Sequence, residues 1–268
     1  MLIYFALFIY LFIIGYLFTG LNKKVESASD EPFISIIIIA KNEQKNITDC
    51  LKSLDQQNYE NYEIIFIDDC STDSTLNTVT KLSIQAELKV LKGENQLGFK
   101  SSKKACLELA RQNAKGDVLL FTDADCRPGP DWVKTMVSAF SDKTGLVASF
   151  SPQTTKTKKL WNGFLKIDSM AAAIVSTGGI GRGHRITCTG RNLAVRATAL
   201  EDIGGYAATK DSLSGDDDFL LQNIANHPLW HVTYVKDPKA LVPANGPSIF
   251  QAFIHQKQRH ISAGKKFN

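Results

Sequence analysis

GDVLLFTDADCRPGPDWV, residues 116–133, decides the reading of this chain. Val118 to Phe121 form a short apolar run, Asp123 and Asp125 follow it at once, and Pro128, Gly129 and Pro130 close a turn before a helix at Asp131. Such a run, bounded by turn residues, fits a strand buried on both faces of a parallel sheet. Its C-terminal end is where open α/β sheets bind ligands, so the two carboxylates stand at a functional edge.

The same pattern repeats upstream. Phe33 to Ala40 is a β-branched run, and Glu63 to Ile67 is another that ends in Asp68 and Asp69. Leu88 to Leu91 forms a shorter strand. Helical spacing fills the gaps at Asn46–Gln57, Ser74–Leu82 and Ser101–Ala114. Strands alternating with helices predict an α/β fold: a Rossmann-like, mainly parallel sheet flanked by helices.

Beyond residue 130 the expected elements are helices at Asp131–Phe140, Leu160–Val175, Val195–Ile203 and Phe219–Asn226, with strands at Gly145–Phe150 and Trp230–Val235. Gly178 to Gly183 holds four glycines and reads as a flexible turn. Phe250–Ala263 reads as a closing helix with apolar and basic sides.

At the other end, Leu2 to Leu21 carry no charge, whereas Lys23 and Lys24 follow directly. This reads as a transmembrane helix over residues 1–22, with everything after it on the cytoplasmic side of an inner membrane. The chain then divides into that anchor, a catalytic domain over 30–245 and an amphipathic interface helix over 246–268. Five cysteines without a CxxC spacing argue against a disulfide or zinc framework. A formal charge of +4, spread along the chain, argues against a nucleic-acid partner.

Several acidic groups carry candidate chemistry, each with a plainer alternative. Asp123 and Asp125 suit Mg²⁺ or Mn²⁺, which take carboxylates and share their shell with phosphates and water; solvated turn carboxylates are the alternative. Asp68 and Asp69 can hydrogen-bond a base or ribose, or cap the Ser-Thr-Asp turn that follows. Asp216, Asp217 and Asp218 crowd together, which suits a general base with a raised pKa and equally suits an acidic helix N-terminus. On the closing helix, Gln256 and Arg259 share a face. Arg259 can clamp a diphosphate, or the helix can lie on a membrane surface.

In their order and spacing, ISIIIIAKNEQKNITDCLKSL, EIIFIDDCSTDST, GDVLLFTDADCRPGPDWV, TGRNLAVRATALEDIGGY, SGDDDFLL and QKQRH make the chain resemble the family 2 inverting glycosyltransferases of the GT-A fold, the cellulose and hyaluronan synthase-like group. The resemblance covers about residues 33–266. It implies that Ala40, Asn42 and Glu43 line the nucleotide pocket, Asp68 binds the base and Lys103 contacts phosphate. It further implies that Asp123 and Asp125 hold the metal, with Asp125 the more direct ligand. Gly190, Asn192 and Asp216 would lie near the acceptor, and Asp217 would be the base. Gln256 and Arg259 match the family's Q-x-x-R-W motif, with His260 in place of its tryptophan.

The implied reaction is a single inverting displacement from a nucleotide diphosphate sugar, UDP being the commoner donor, onto a lipid-linked or glycan acceptor. The contrasting expectation is a catalytically silent subunit that binds nucleotide sugar or a partner synthase. A dinucleotide oxidoreductase is excluded, because no G-x-G-x-x-G turn follows the first strand.

Overall fold

A computed structural model describes residues 2–22, 31–93, 98–157, 159–211 and 215–264, leaving aside the side chains of residues 2–3 and 259–264. Its strands are β1 (Ile34–Ala40), β2 (Tyr62–Asp68), β3 (Glu87–Lys92), β4 (Val118–Asp123), β5 (Thr144–Ser149), β6 (Gln153–Thr154), β7 (Leu193–Arg196), β8 (His231–Val235) and β9 (Ala244–Asn245). The helices are α1 (Leu2–Gly20), α2 (Ile47–Leu54), α3 (Thr75–Lys81), α4 (Ser102–Asn113), α5 (Trp132–Val137), α6 (Lys159–Gly181), α7 (Ala197–Asp202), α8 (Asp216–Asn226) and α9 (Phe250–Gly264).

Seven strands form one sheet in the order β3-β2-β1-β4-β7-β5-β8. β1 pairs in parallel with both β2 and β4, so the strand order reverses there and opens a crevice at the carboxyl ends of β1 and β4. β1 is buried on both faces, as an unbroken isoleucine run requires. Ile36 and Ile38 belong to a core with Leu51 of α2, Val79 of α3 and Met136 of α5. Ile37 points the other way, into a core with Ala110 of α4, Leu200 of α7 and Leu221 of α8. The mainly parallel sheet flanked by helices is therefore as expected.

The helix expected at Val195–Ile203 begins later. Residues 193–196 form β7, antiparallel to β4 and to β5, and only Ala197–Asp202 is helical. Leu193, Ala194 and Val195 are all buried, and a short apolar run does not distinguish strand from helix by periodicity.

Gly178–Gly183 also departs, because α6 continues through Gly178, Gly179 and Gly181 rather than turning there. A Cβ on Gly178 would meet the Leu17 carbonyl, and one on Gly181 would meet that of Gly20. These glycines let the last turn of α1 press backbone against backbone on α6.

The expected membrane span is corrected. Among the described residues, no helix is long and apolar enough to cross a membrane. Leu17 and Gly20 are buried, leaving Tyr4 to Ile13 as the unbroken exposed apolar stretch of α1. Such a stretch extends roughly 15 Å, half of a hydrocarbon core. Lys23 and Lys24, which set the expected orientation, lie outside the described residues. Gly181→Ala is expected to pry α1 from α6; faster amide exchange in residues 17–20 would report it, and unchanged exchange would refute the packing account.

Candidate active site

The loop after β1 is knitted to the loop after β2. Asn42 takes a left-handed backbone (φ 59°), and its Oδ1 accepts from the Thr72 backbone N–H at 2.8 Å. The Ser71 hydroxyl accepts from the Asn42 N–H at 3.0 Å, and Thr75 Oγ1 accepts from that of Glu43 at 2.8 Å. Ala40 ends β1 beside these contacts, and its carbonyl accepts from the Asp69 N–H at 2.8 Å.

Asp68 and Asp69 separate in role. Asp69 accepts from the Ser102 hydroxyl at 2.8 Å and so ties the loop to the start of α4. Asp68 is 5% exposed; one oxygen accepts from the Ser71 N–H at 3.1 Å, while Oδ1 is buried without a partner. A buried carboxylate oxygen left bare is costly, which marks it for a ligand's donor.

Asp123 and Asp125 leave the end of β4 half-buried. Burial, followed by the charge of Asp123, raises the Asp125 pKa. Burial likewise raises Glu43, against a lowering hydrogen bond from Asn46, and both aspartates push it further up. These three carboxylates thus share one negative field. Among the described residues, no group of three or more His, Cys, Asp or Glu side chains is arranged to hold a metal ion unaided. Arg191 lies beside the pair, its Nε 3.9 Å from Asp123 Oδ2.

The second acidic cluster opens α8. Gly215, at φ 81°, turns the chain so that Asp216, Asp217 and Asp218 occupy the first helical turn, where the helix dipole favours them. Lys103 reaches Asp216 at 3.4 Å, and Thr187 donates to Asp218 at 3.0 Å. Asp217 accepts from the Gly190 backbone N–H at 3.1 Å and from its neighbour's N–H at 3.0 Å. Burial, then the charges of Asp216 and Asp218, push the Asp217 carboxyl up to about 6. Asp216 is held below the usual range; burial opposes this, but the Lys103 ammonium outweighs it together with local hydrogen bonding and Lys104.

Lys103, Asp123, Gly190, Tyr206, Asp216 and Asp217 line one cavity of about 20 Å³, room for about one water molecule. Carboxylates from β4 and α8 therefore face the same space. A larger cavity of about 340 Å³, lined by His184, Arg185 and Trp230 among others, shares none of these residues.

Asn192 is not at that lining. It is fully buried, accepts from Trp132 Nε1 at 2.9 Å and donates to the Phe150 and Ala240 carbonyls, both at 2.8 Å. The structure places it behind the loop that carries Gly190 and Arg191. Gln256 is half-buried on α9 and outside the lining, and the Arg259 side chain lies outside the described residues. Arg191 is the residue that sequence reasoning missed; a lone arginine between a candidate glycine and asparagine was its only signal.

Residues 35–212 match the sequence model of the family described as Glycosyl transferase family 2. The chain belongs to that family. A beta-monoglucosyldiacylglycerol synthase of Nostoc sp. is 27% identical over 87% of this chain and 49% of its own length. The glycosyltransferase AglE of Haloferax volcanii is 32% identical over 41% of this chain and 36% of its own. The chain thus spans less than half the length of these two curated relatives. The mannosyltransferase PcManGT of Pyrobaculum calidifontis, solved with GDP-Man and Mn²⁺, superposes with a TM-score of 0.71 at 18% identity over 96% of this chain and 70% of that one. The sheet and its flanking helices are those of the GT-A fold.

In this family 2 chain, Asn192→Ala leaves Trp132 Nε1 and the buried Ala240 carbonyl without the partner Asn192 supplies, while the Phe150 carbonyl keeps the Val242 N–H at 3.2 Å. It is expected to cost about 3 kcal/mol, read as a lower urea midpoint, whereas loss of under about 1 kcal/mol would show the loop held by other means.

Proposed function

We propose that this family 2 chain is an inverting glycosyltransferase that moves a sugar from a nucleotide diphosphate sugar, with UDP the favoured nucleotide, to a hydroxyl of a lipid-linked or glycan acceptor. The observation that carries the reading is the cavity shared by Asp123 and Asp217, with the Asp217 carboxyl near the pH where it can accept a proton. On this reading the catalytic domain spans residues 30–245, and the segment 246–268, which carries α9, brings Gln256 and Arg259 toward the diphosphate.

A divalent cation, Mg²⁺ or Mn²⁺, fits the donor set. Beyond the effect of burial, neighbouring carboxylates raise the pKa of Asp125 and of Glu43, and a hard cation relieves that repulsion. Among the described residues, too few protein ligands converge to cage an ion, and Mg²⁺ and Mn²⁺ complete their shell with phosphate and water. When bound, the cation supplies Lewis-acid stabilisation of the departing diphosphate.

The chain's own residues do the rest. Ala40, Asn42 and Glu43 form the floor under the nucleotide, and the bare oxygen of Asp68 accepts from its base or ribose. Lys103 offers an ammonium for a phosphate oxygen beside Asp216. Asp217, steered by the Gly190 N–H, takes the acceptor's proton as its oxygen attacks the anomeric carbon, with Asp216 and Gly190 on the acceptor side. No protein nucleophile takes part, so configuration inverts.

Asp217→Asn is expected to lower transfer from a UDP-sugar, with Mn²⁺ present, by about 1,000-fold, while a loss below about tenfold would exclude it as the base. In the wild type, transfer should fall as pH drops through about 6, where Asp217 gains its proton. The linkage has the opposite sign. A carboxyl whose folded pKa is raised stabilises the fold below its unfolded value of about 4, and that stability is lost as pH rises through the folded pKa. The Asn variant should therefore melt higher than wild type at pH 8, with the difference vanishing near pH 4; a variant that melts lower at pH 8 would contradict this.

A further inference from the structure

Large apolar side chains that remain exposed are confined to one layer of the molecule. Apart from Ile186 and Leu229, every such described residue lies on α1, on α6, or on α9 and the adjoining Ile249. On α6, Leu160 is 90% exposed, Ile167 67%, Met170 51% and Phe164 42%. Positions 160, 164, 167 and 171 recur at helical spacing, so Leu160, Phe164 and Ile167 form one outward stripe, roughly 16 Å long, with Ala171 at its end and Met170, three positions after Ile167, at its edge. The opposite face, Leu165, Ser169 and Ser176, is buried against the domain.

Charge borders this stripe without entering it. Lys159 and Lys166 are exposed along one flank. The lone acidic residue of α6, Asp168, is paired with Lys257 of α9 at 2.6 Å. That ion pair and the aromatic contacts of Phe253 with Phe164 (5.2 Å) and Trp161 (5.9 Å) bind α9 to α6. Phe250, 62% exposed, and Ile254, 37% exposed, extend the apolar surface onto α9.

We propose that α6 lies flat in the headgroup layer of an anionic lipid bilayer. Leu160, Phe164, Ile167 and Met170 enter the acyl boundary, and the Lys159 and Lys166 ammonium groups reach lipid phosphate. Exposed apolar patches of this extent mark an interaction surface. An amphipathic helix bordered by lysines, whose long stems let the charge sit in water above a buried stripe, matches an interface in chemistry. A second copy seated on this stripe would bring no free carboxylate from α6 to meet the lysines. Lying on a membrane also requires no helix that crosses one.

Oxidative footprinting of Met170 in the full chain tests the proposal, with the fully buried Met136 as internal reference. Vesicles of phosphatidylglycerol mixed with phosphatidylcholine are compared with phosphatidylcholine alone, and flotation establishes binding. Met170 oxidation is expected to slow several-fold on the anionic vesicles. Leu160→Gln combined with Ile167→Gln should abolish that protection. The proposal is overturned if the chain does not float on the anionic vesicles, or floats with Met170 oxidising at its free rate. Equal protection on uncharged vesicles overturns it too. Protection that rises with protein concentration without lipid assigns the face to a second copy instead. Transfer activity is not read, so the outcome is independent of the proposed reaction.

Discussion

Three hydrogen bonds made by the buried Asn192 side chain hold the centre of this structure. They fasten the loop ahead of β7 to α5, to the end of β5 and to the segment after β8. From that fixed loop, the Gly190 N–H reaches Asp217 and the Arg191 guanidinium reaches toward Asp123. The antiparallel insertion of β7 next to β4 brings these contacts to the crevice that the parallel strands open. Loss of this clamp would free the loop that carries Gly190 and Arg191, while both acidic clusters stay on their own packed elements.

Electrostatics explains why such a clamp is needed. Glu43, Asp123, Asp125, Asp216 and Asp217 crowd around the crevice, and burial raises the pKa of several of them. Lys103 and Arg191 offset part of this excess from opposite sides. Groups arranged this way destabilise the folded chain, and perturbed carboxylates gathered in a cleft are a recurring mark of a functional site.

Much of this was legible in the sequence because parallel strands buried on both faces write themselves as unbroken apolar runs. β1, β2 and β4 were visible for that reason, and the acids that end them marked the crevice edge. β7 was not visible, since Leu193 to Val195 are too few to show a period and their pairing is set by β4 and β5, far away in sequence. The glycines of α6 misled because flexibility and close approach use the same residue, and only the position of α1 tells them apart. Asn192 was expected near the acceptor, and a polar side chain carries no sign in the sequence that three interior partners await it. Arg191, by contrast, acts through a side chain whose neighbour lies nearly seventy positions earlier in the chain.

The account rests on one crevice in which a cation held by Asp123 and Asp125 is felt by Asp217. Titration of the Asp217 carboxyl by carbon NMR, with and without Mg²⁺, measures this coupling directly. The account predicts a midpoint near 6 without the ion and a lower one with it, because a nearby positive charge favours the ionised form. An Asp217 midpoint that stays put while the Asp125 signal moves on binding would contradict it.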